Sequence, residues 1–183
     1  LLMPAWEREG YIGVKMVNVF PQNAEHGLPA IAGVYLLSEG AHGRPLACLD
    51  GSELTRRRTA AASALAAREL AREDAETLLV VGTGKLAPMV IEAHAAVRPI
   101  RRVRIWGRSL AKAEALAAEY VDRFDTRAVT DLEAATREAD IISCVTLSTE
   151  PLIRGAWLAP GTHLDLIGAF RPTMRETDAE CLV

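Results

Sequence analysis

Thr77-Leu-Leu-Val-Val81-Gly82-Thr83-Gly84-Lys85-Leu86-Ala87 is the stretch whose reading decides the fold. A short β-branched apolar run ends in Gly-x-Gly-x-x-Ala, and a helix-forming segment, residues 85–97, follows at once. That order of strand, turn and helix gives the glycine motif its meaning. Gly82 permits the tight turn, Gly84 lets the backbone approach a pyrophosphate with no side chain in the way, and Ala87 lets helix and strand pack closely. The helix N-terminus then offers its free N–H groups to phosphate. Pro88 falls in the first turn, where its missing N–H costs nothing.

Downstream the pattern repeats. Residues 101–106, 126–129, 140–145 and 163–169 read as strands, and residues 110–120 and 132–138 as helices. Alternating strands and helices with crossovers of this length predict a parallel sheet wound in the right-handed sense. Upstream the texture differs. Residues 11–19, 31–37 and 45–49 are β-branched and aromatic runs separated by Gly, Pro, Asn and His, which predicts an antiparallel sheet. Residues 38–44 carry two glycines and predict the loop joining the second and third runs. Ser52 is the expected cap of an Ala-rich helix over residues 54–71. The texture changes within residues 72–76, so two domains are expected, 1–75 and 76–183.

Composition narrows the partners. The 183 residues are 50% hydrophobic and 25% charged, with a formal net charge of −3. That is globular composition without the basic stripe of a nucleic-acid binder. The longest apolar runs fall far short of the ~20 residues of a membrane span, so neither nucleic acid nor membrane is expected as a partner. Cys48, Cys144 and Cys181 lie far apart and fit a reducing cytoplasm. His26, His42, His94 and His163 lack metal-ligand spacing, so no metal is expected. Trp6, Trp106 and Trp157 read as packing residues, with Trp106 a possible border of an adenine pocket. The opening Leu-Leu-Met-Pro-Ala-Trp6 has no signal-peptide character and reads as a chain entered partway. Residues 174–183 read as a helix start cut short, so truncation at both ends is expected.

The end of the second parallel strand selects the cofactor. An NAD site usually places Asp or Glu there for the ribose hydroxyl, whereas this chain has Trp106-Gly107-Arg108-Ser109 and then Lys112. Arg108 can pair with a 2′-phosphate, Ser109 can add a hydrogen bond and Lys112 adds charge, so NADPH is expected over NADH. In the first half, Lys15 interrupts an apolar strand and must snorkel or meet an anion. Arg56-Arg57-Arg58 sit near the positive end of the long helix, an unfavourable place for cations that points to an anionic ligand.

Val14-Lys15-x-Val17-Asn18, Gly27-Leu28-Pro29, Pro45-Leu-Ala47-x-Leu49-Asp50-Gly51, Arg58-Thr-Ala-Ala-Ala-Ser63, Gly82-Thr83-Gly84 and Val145-Thr146-x-Ser-Thr-Glu150-Pro151 together resemble the ornithine cyclodeaminase/μ-crystallin family. The resemblance spans essentially the whole chain. It implies an α/β fold, a Rossmann-type doubly wound parallel sheet preceded by part of an α+β substrate and dimerisation lobe. Members are longer, so a homodimer is expected of the full-length protein. The resemblance further implies that Lys15 and Arg58 grip a substrate carboxylate. It places Gly82, Thr83, Gly84, Ala87, Arg108, Ser109, Lys112 and Thr146 at the cofactor.

One departure decides the reaction. Cyclodeaminases resemble Gly-Gly-Asp-x-Pro after the fifth strand of the parallel sheet, with that Asp as acid and base, while this chain reads Gly168-Ala169-Phe170-Arg171-Pro172. Oxidative deamination needs a positioned base, which phenylalanine cannot supply. Reducing an already protonated cyclic imine needs a hydride donor and a cationic clamp for the carboxylate. The stretch Gly168-Ala169-x-Arg171-Pro172-x-x-Arg175-Glu176-x-Asp178 instead resembles the ketimine-reducing, μ-crystallin-like branch, which implies reduction of Δ1-pyrroline-2-carboxylate or Δ1-piperideine-2-carboxylate to proline or pipecolate, with Asp165 as a candidate proton donor. Ornithine cyclodeamination, an alanine-dehydrogenase-like activity, and a crystallin-like binding protein without turnover are the alternatives.

Overall fold

A computed structural model describes residues 1–182; Val183, the last residue of the second expected domain, lies outside the described residues. The chain divides into two compact units, residues 1–58 and the remainder from Thr59. The division falls inside the long helix rather than within residues 72–76.

In the first unit β1 (Leu2–Trp6), β2 (Tyr11–Val19), β3 (Ile31–Glu39) and β4 (Pro45–Asp50) form an antiparallel sheet in that order. Sequence predicts three of these strands, and β1 is the addition. Its Pro4 has no N–H to give, which an edge strand tolerates because only one side must pair. Of the two glycines in the 38–44 loop only Gly43 takes a positive φ, 72°. The helix α1 (Gly51–Leu70) starts three residues before the expected position. The cap is Asp50, not Ser52: Asp50 Oδ1 accepts from Ser52 N at 2.7 Å and from Glu53 N at 3.1 Å. From the first turn, Glu53 also answers two of the arginines one turn on, bonding Arg56 and, at 2.7 Å, Arg57.

The second unit carries β5 (Thr77–Val81), α2 (Ala87–Val97), β6 (Arg102–Trp106), α3 (Leu110–Ala118), β7 (Asp125–Ala128), α4 (Leu132–Glu138), β8 (Ile141–Cys144) and β9 (His163–Leu166). All five strands are parallel, in the order β7-β6-β5-β8-β9. Alternation along β5 separates the two faces. Leu78 and Val80 join Val103, Ile105 and Ile141 beneath α2 and α3, whereas Leu79 and Val81 join Ile142 and Cys144 beneath α4. Each such Leu or Ile contributes about 1.5–3 kcal/mol by leaving water. Ala60, Ala64, Ala67 and Ala71 recur at helical spacing and are all buried. The sheet is therefore doubly wound, as the sequence implies.

Element ends differ from expectation for identifiable reasons. α2 begins at Ala87 because Ala87 N closes a turn onto Gly84 O at 3.0 Å. β8 and β9 stop at Cys144 and Leu166 because the residues beyond turn to a buried carboxylate described below. From β5 the chain builds outward to β6 and β7 and then returns to the other side of β5 as β8. The loops leaving β5 and β8 diverge there, which opens a crevice at the carboxyl ends of the strands. Among the described residues no helix is long and apolar enough to cross a membrane.

Candidate functional site

That crevice is a cleft of about 540 Å³. Gly82, Thr83 and Gly84 form its floor, Trp106 to Ser109 with Lys112 one wall, and Val145 to Glu150 the other. Backbone bonds fix the rim: Gly82 N donates to Trp106 O at 2.8 Å and Val145 N to Val81 O at 2.9 Å. Gly82 has φ 123°, and a Cβ there would stand 2.9 Å from Val145 O, so both conformation and space demand glycine. A Cβ on Gly84 would meet nothing within 4 Å, which leaves its backbone open to a ligand. Ala87 is fully buried under the turn, in the core rather than the cleft.

The cationic end is free to act. Arg108 and Lys112 are exposed and have no ion pair among the described residues. Ser109 stands at the N-cap of α3 without spending its hydroxyl on the helix. No carboxylate occupies the end of β6. All the sequence-chosen cofactor residues other than Ala87 thus line one cleft.

Lys15 and Arg58 lie in the first unit. Lys15 is buried on β2, its Nζ 3.4 Å from Thr55 Oγ1, while Thr55 donates its own proton to Gly51 O at 2.6 Å. Burial, reinforced by the Arg58 guanidinium, lowers the Lys15 pKa. Arg58 is exposed, and no ion pair to it occurs among the described residues. The two cations therefore repel one another, and the hydrogen-bond partner of Lys15 among the described residues is a hydroxyl.

Asp165 takes a different role from the one expected. It accepts from Ser143 Oγ at 2.7 Å and from Ser63 Oγ, with Nε2 of the fully buried His94 3.7 Å away. Burial pushes its carboxyl up, but His94, Ser63 and Ser143 outweigh that and hold it below its ordinary value. A carboxylate so held has no proton to give near neutrality, and Asp165 is not among the cleft residues. The proton-donor reading is corrected to a half-buried hub joining α1, α2, β8 and β9. A carboxyl lowered on folding adds stability that is present above the unfolded pKa, about 3.9, and lost as pH falls through the folded value. Asp165→Asn is therefore expected to be less stable at neutral pH, with a urea midpoint that changes less than wild type between about pH 5 and pH 3. Parallel pH profiles would refute it.

Sequence reading notes Glu176 among the carboxylates after Phe170 but gives it no role. It is almost fully buried, and its carboxylate accepts from Thr146 N, Thr146 Oγ1 and Gly168 N. Thr146 is thirty residues away in the chain, so no local periodicity signals the contact. His94 is missed likewise: read as an isolated histidine, it meets Ser63 only in three dimensions, at 3.2 Å. Among the described residues no group of three or more potential metal ligands occurs, and all three cysteines are free.

The sequence matches the ornithine cyclodeaminase/mu-crystallin family over residues 1–183. The chain belongs to that family. It is 46% identical over 178 residues to a Δ1-pyrroline-2-carboxylate reductase of Paracoccus denitrificans, covering 95% of this chain and 56% of the relative. The Thermococcus litoralis Δ1-pyrroline-2-carboxylate reductase, solved in complex with NADH and L-proline, superposes with a TM-score of 0.86 at 28% identity, covering 98% of this chain and 61% of that one. An archaeal alanine dehydrogenase dimer with bound NAD gives 0.92 at 33% identity, covering 99% and 56%. The chain thus spans less than two thirds of the length of each. Within this ornithine cyclodeaminase/mu-crystallin member, Phe170 is 53% exposed after β9, with the Arg171 guanidinium 5.9 Å from its ring. No carboxylate stands at that position.

Proposed function

We propose that the protein carrying this chain is an NADPH-dependent reductase of cyclic ketimine carboxylates, forming L-proline from Δ1-pyrroline-2-carboxylate or L-pipecolate from Δ1-piperideine-2-carboxylate. The observation that carries the reading is the cleft, where an open Gly84, the positive-φ Gly82 and Arg108 and Lys112, without ion pairs among the described residues, converge. These residues fit a dinucleotide phosphate chain, and Arg108, Ser109 and Lys112 would hold the 2′-phosphate of NADPH. The Thermococcus relative is described with NADH, so the preference here rests on those three side chains. When bound, the reduced cofactor supplies a hydride to the imine carbon.

This chain's own residues do the rest. Lys15 and Arg58 pair with the substrate carboxylate, which relieves their mutual repulsion. The imine nitrogen, protonated beforehand, takes the electron pair of the C=N bond, so no base is needed to start the reaction. Phe170 supports reduction over deamination, because it can neither remove nor return a proton. The first unit, residues 1–58, serves as part of a substrate and dimerisation lobe, and the unit from Thr59 as the dinucleotide domain. Homodimer formation is supported by one face of the antiparallel sheet, where Leu2, Trp6, Ile12, Met16 and Leu36 are exposed side by side. Three free cysteines accord with a reducing cytoplasm.

The test is direct. Incubation of the protein carrying this chain with NADPH and either imine is expected to consume the reduced cofactor, and ornithine is expected to release no ammonia. Ammonia from ornithine would make it a cyclodeaminase. Turnover of pyruvate with ammonia, but of neither imine, would align it with the alanine dehydrogenase relative. Saturable NADPH binding without any turnover would make it a binding protein.

A further inference from the structure

The loops that leave β8 and β9 are tied together by one side chain. Glu176 is 2% exposed. Its Oε1 accepts from Thr146 N and Thr146 Oγ1, both at 2.7 Å, and its Oε2 accepts from Gly168 N at 2.9 Å. Its backbone carbonyl accepts in turn from Leu152 N at 2.9 Å and Ile153 N at 3.0 Å. The joint leaves no spare room: a Cβ on Gly168 would stand 1.8 Å from Thr146 O and 2.6 Å from Glu176 Oε1.

Thr146 lines the cleft, and its hydroxyl is already committed. The proton goes to Glu176, and one lone pair accepts from Ser148 N at 3.2 Å. A hydroxyl has one proton and two lone pairs, so what remains for a ligand is an acceptor. We infer that Glu176 is a positioning residue, which holds the Thr146 wall of the cleft and fixes the Thr146 hydroxyl as an acceptor for a ligand N–H or O–H. A carboxamide or a ribose hydroxyl of a dinucleotide has that chemistry. The inference rests on the reading of the cleft as a nicotinamide dinucleotide site.

Calorimetric titration of the protein with NADPH and with NADH tests it without turnover. Thr146→Val removes the hydroxyl and keeps the shape, and is expected to weaken dinucleotide binding roughly tenfold, as a lost buried hydrogen bond does. Thr146→Ser restores the hydroxyl and is expected to bind within about twofold of wild type. Glu176→Gln keeps an acceptor for Thr146 but turns its amide N–H groups on Gly168 N–H, so binding weakens at least as much. A Glu176→Gln protein that melts earlier yet binds as wild type would overturn the inference, because Glu176 would then be structural alone. Should Glu176→Gln not fold, the Thr146 pair decides: Val equal to wild type, or Val and Ser weakened alike, overturns it. A wild-type protein that binds neither dinucleotide overturns the reading of the cleft itself, and this inference with it.

Discussion

Arg108→Asp is expected to invert the coenzyme preference, from NADPH in the wild type to NADH in the variant. Arg108 leaves the end of β6, lines the cleft and has no ion pair among the described residues. Its charge is therefore available to a ligand phosphate rather than spent within the chain. One charge-assisted hydrogen bond contributes about 1.5–3 kcal/mol, which is roughly a 10- to 150-fold change in kcat/KM for NADPH. The new carboxylate acts twice. It repels the 2′-phosphate, and it supplies the acceptor that a free ribose 2′-hydroxyl requires. Lys112 and Ser109 remain, so NADPH binding weakens without vanishing. The ratio of kcat/KM for the two coenzymes measures the effect, and an unchanged ratio would remove Arg108 from the site.

The parallel sheet was legible because its determinants are local. Val80-Val81-Gly82-Thr83-Gly84 carries strand, turn and helix start within a few residues, and Gly82 makes the tight turn with a positive φ. The same locality explains the small errors. Asp50 and Ser52 are both capping residue types, and only the geometry of Asp50 Oδ1 against Ser52 N and Glu53 N separates them. β1 is short, exposed and contains Pro4, so nothing in its pattern marks it apart from pairing with β2. The strand ends at Cys144 and Leu166 were illegible for a deeper reason. They are set by Glu176, which reaches Thr146 and Gly168 from the far side of a turn.

For the site the division is similar. The residues that line the cleft were readable because a phosphate turn and the end of the next strand have fixed chemical requirements. Asp165 was misread for want of its surroundings, since an aspartate on a strand carries no mark of Ser63, Ser143 and His94 arriving from three other elements. Lys15 was singled out because a lysine interrupts an apolar strand, and its surroundings in the structure add to that. Its partners are one hydroxyl and a repelling guanidinium.

Lys15→Met should consequently move activity and stability in opposite directions. The lysine is buried as a residue, and desolvation together with Arg58 lowers its pKa, so its charge costs the folded state at neutral pH. The sign follows from linkage: between the folded pKa and the ordinary value of 10.5 the unfolded chain binds more protons, so stability rises with pH across that window. Methionine keeps the length and apolar stem without the charge, and the variant is expected to be more stable, with a higher thermal midpoint. The same change removes half of the proposed carboxylate clamp. KM for the imine is expected to rise about 10- to 150-fold, the equivalent of one charge-assisted contact, with a smaller change in kcat. Arg58→Ala should raise KM similarly while relieving Lys15, whose pKa then moves back up toward its ordinary value. Thermal midpoints and substrate titrations read both effects. A Lys15→Met protein that is less stable with KM unchanged would identify Lys15 as a structural lysine, and the substrate clamp would have to be sought elsewhere.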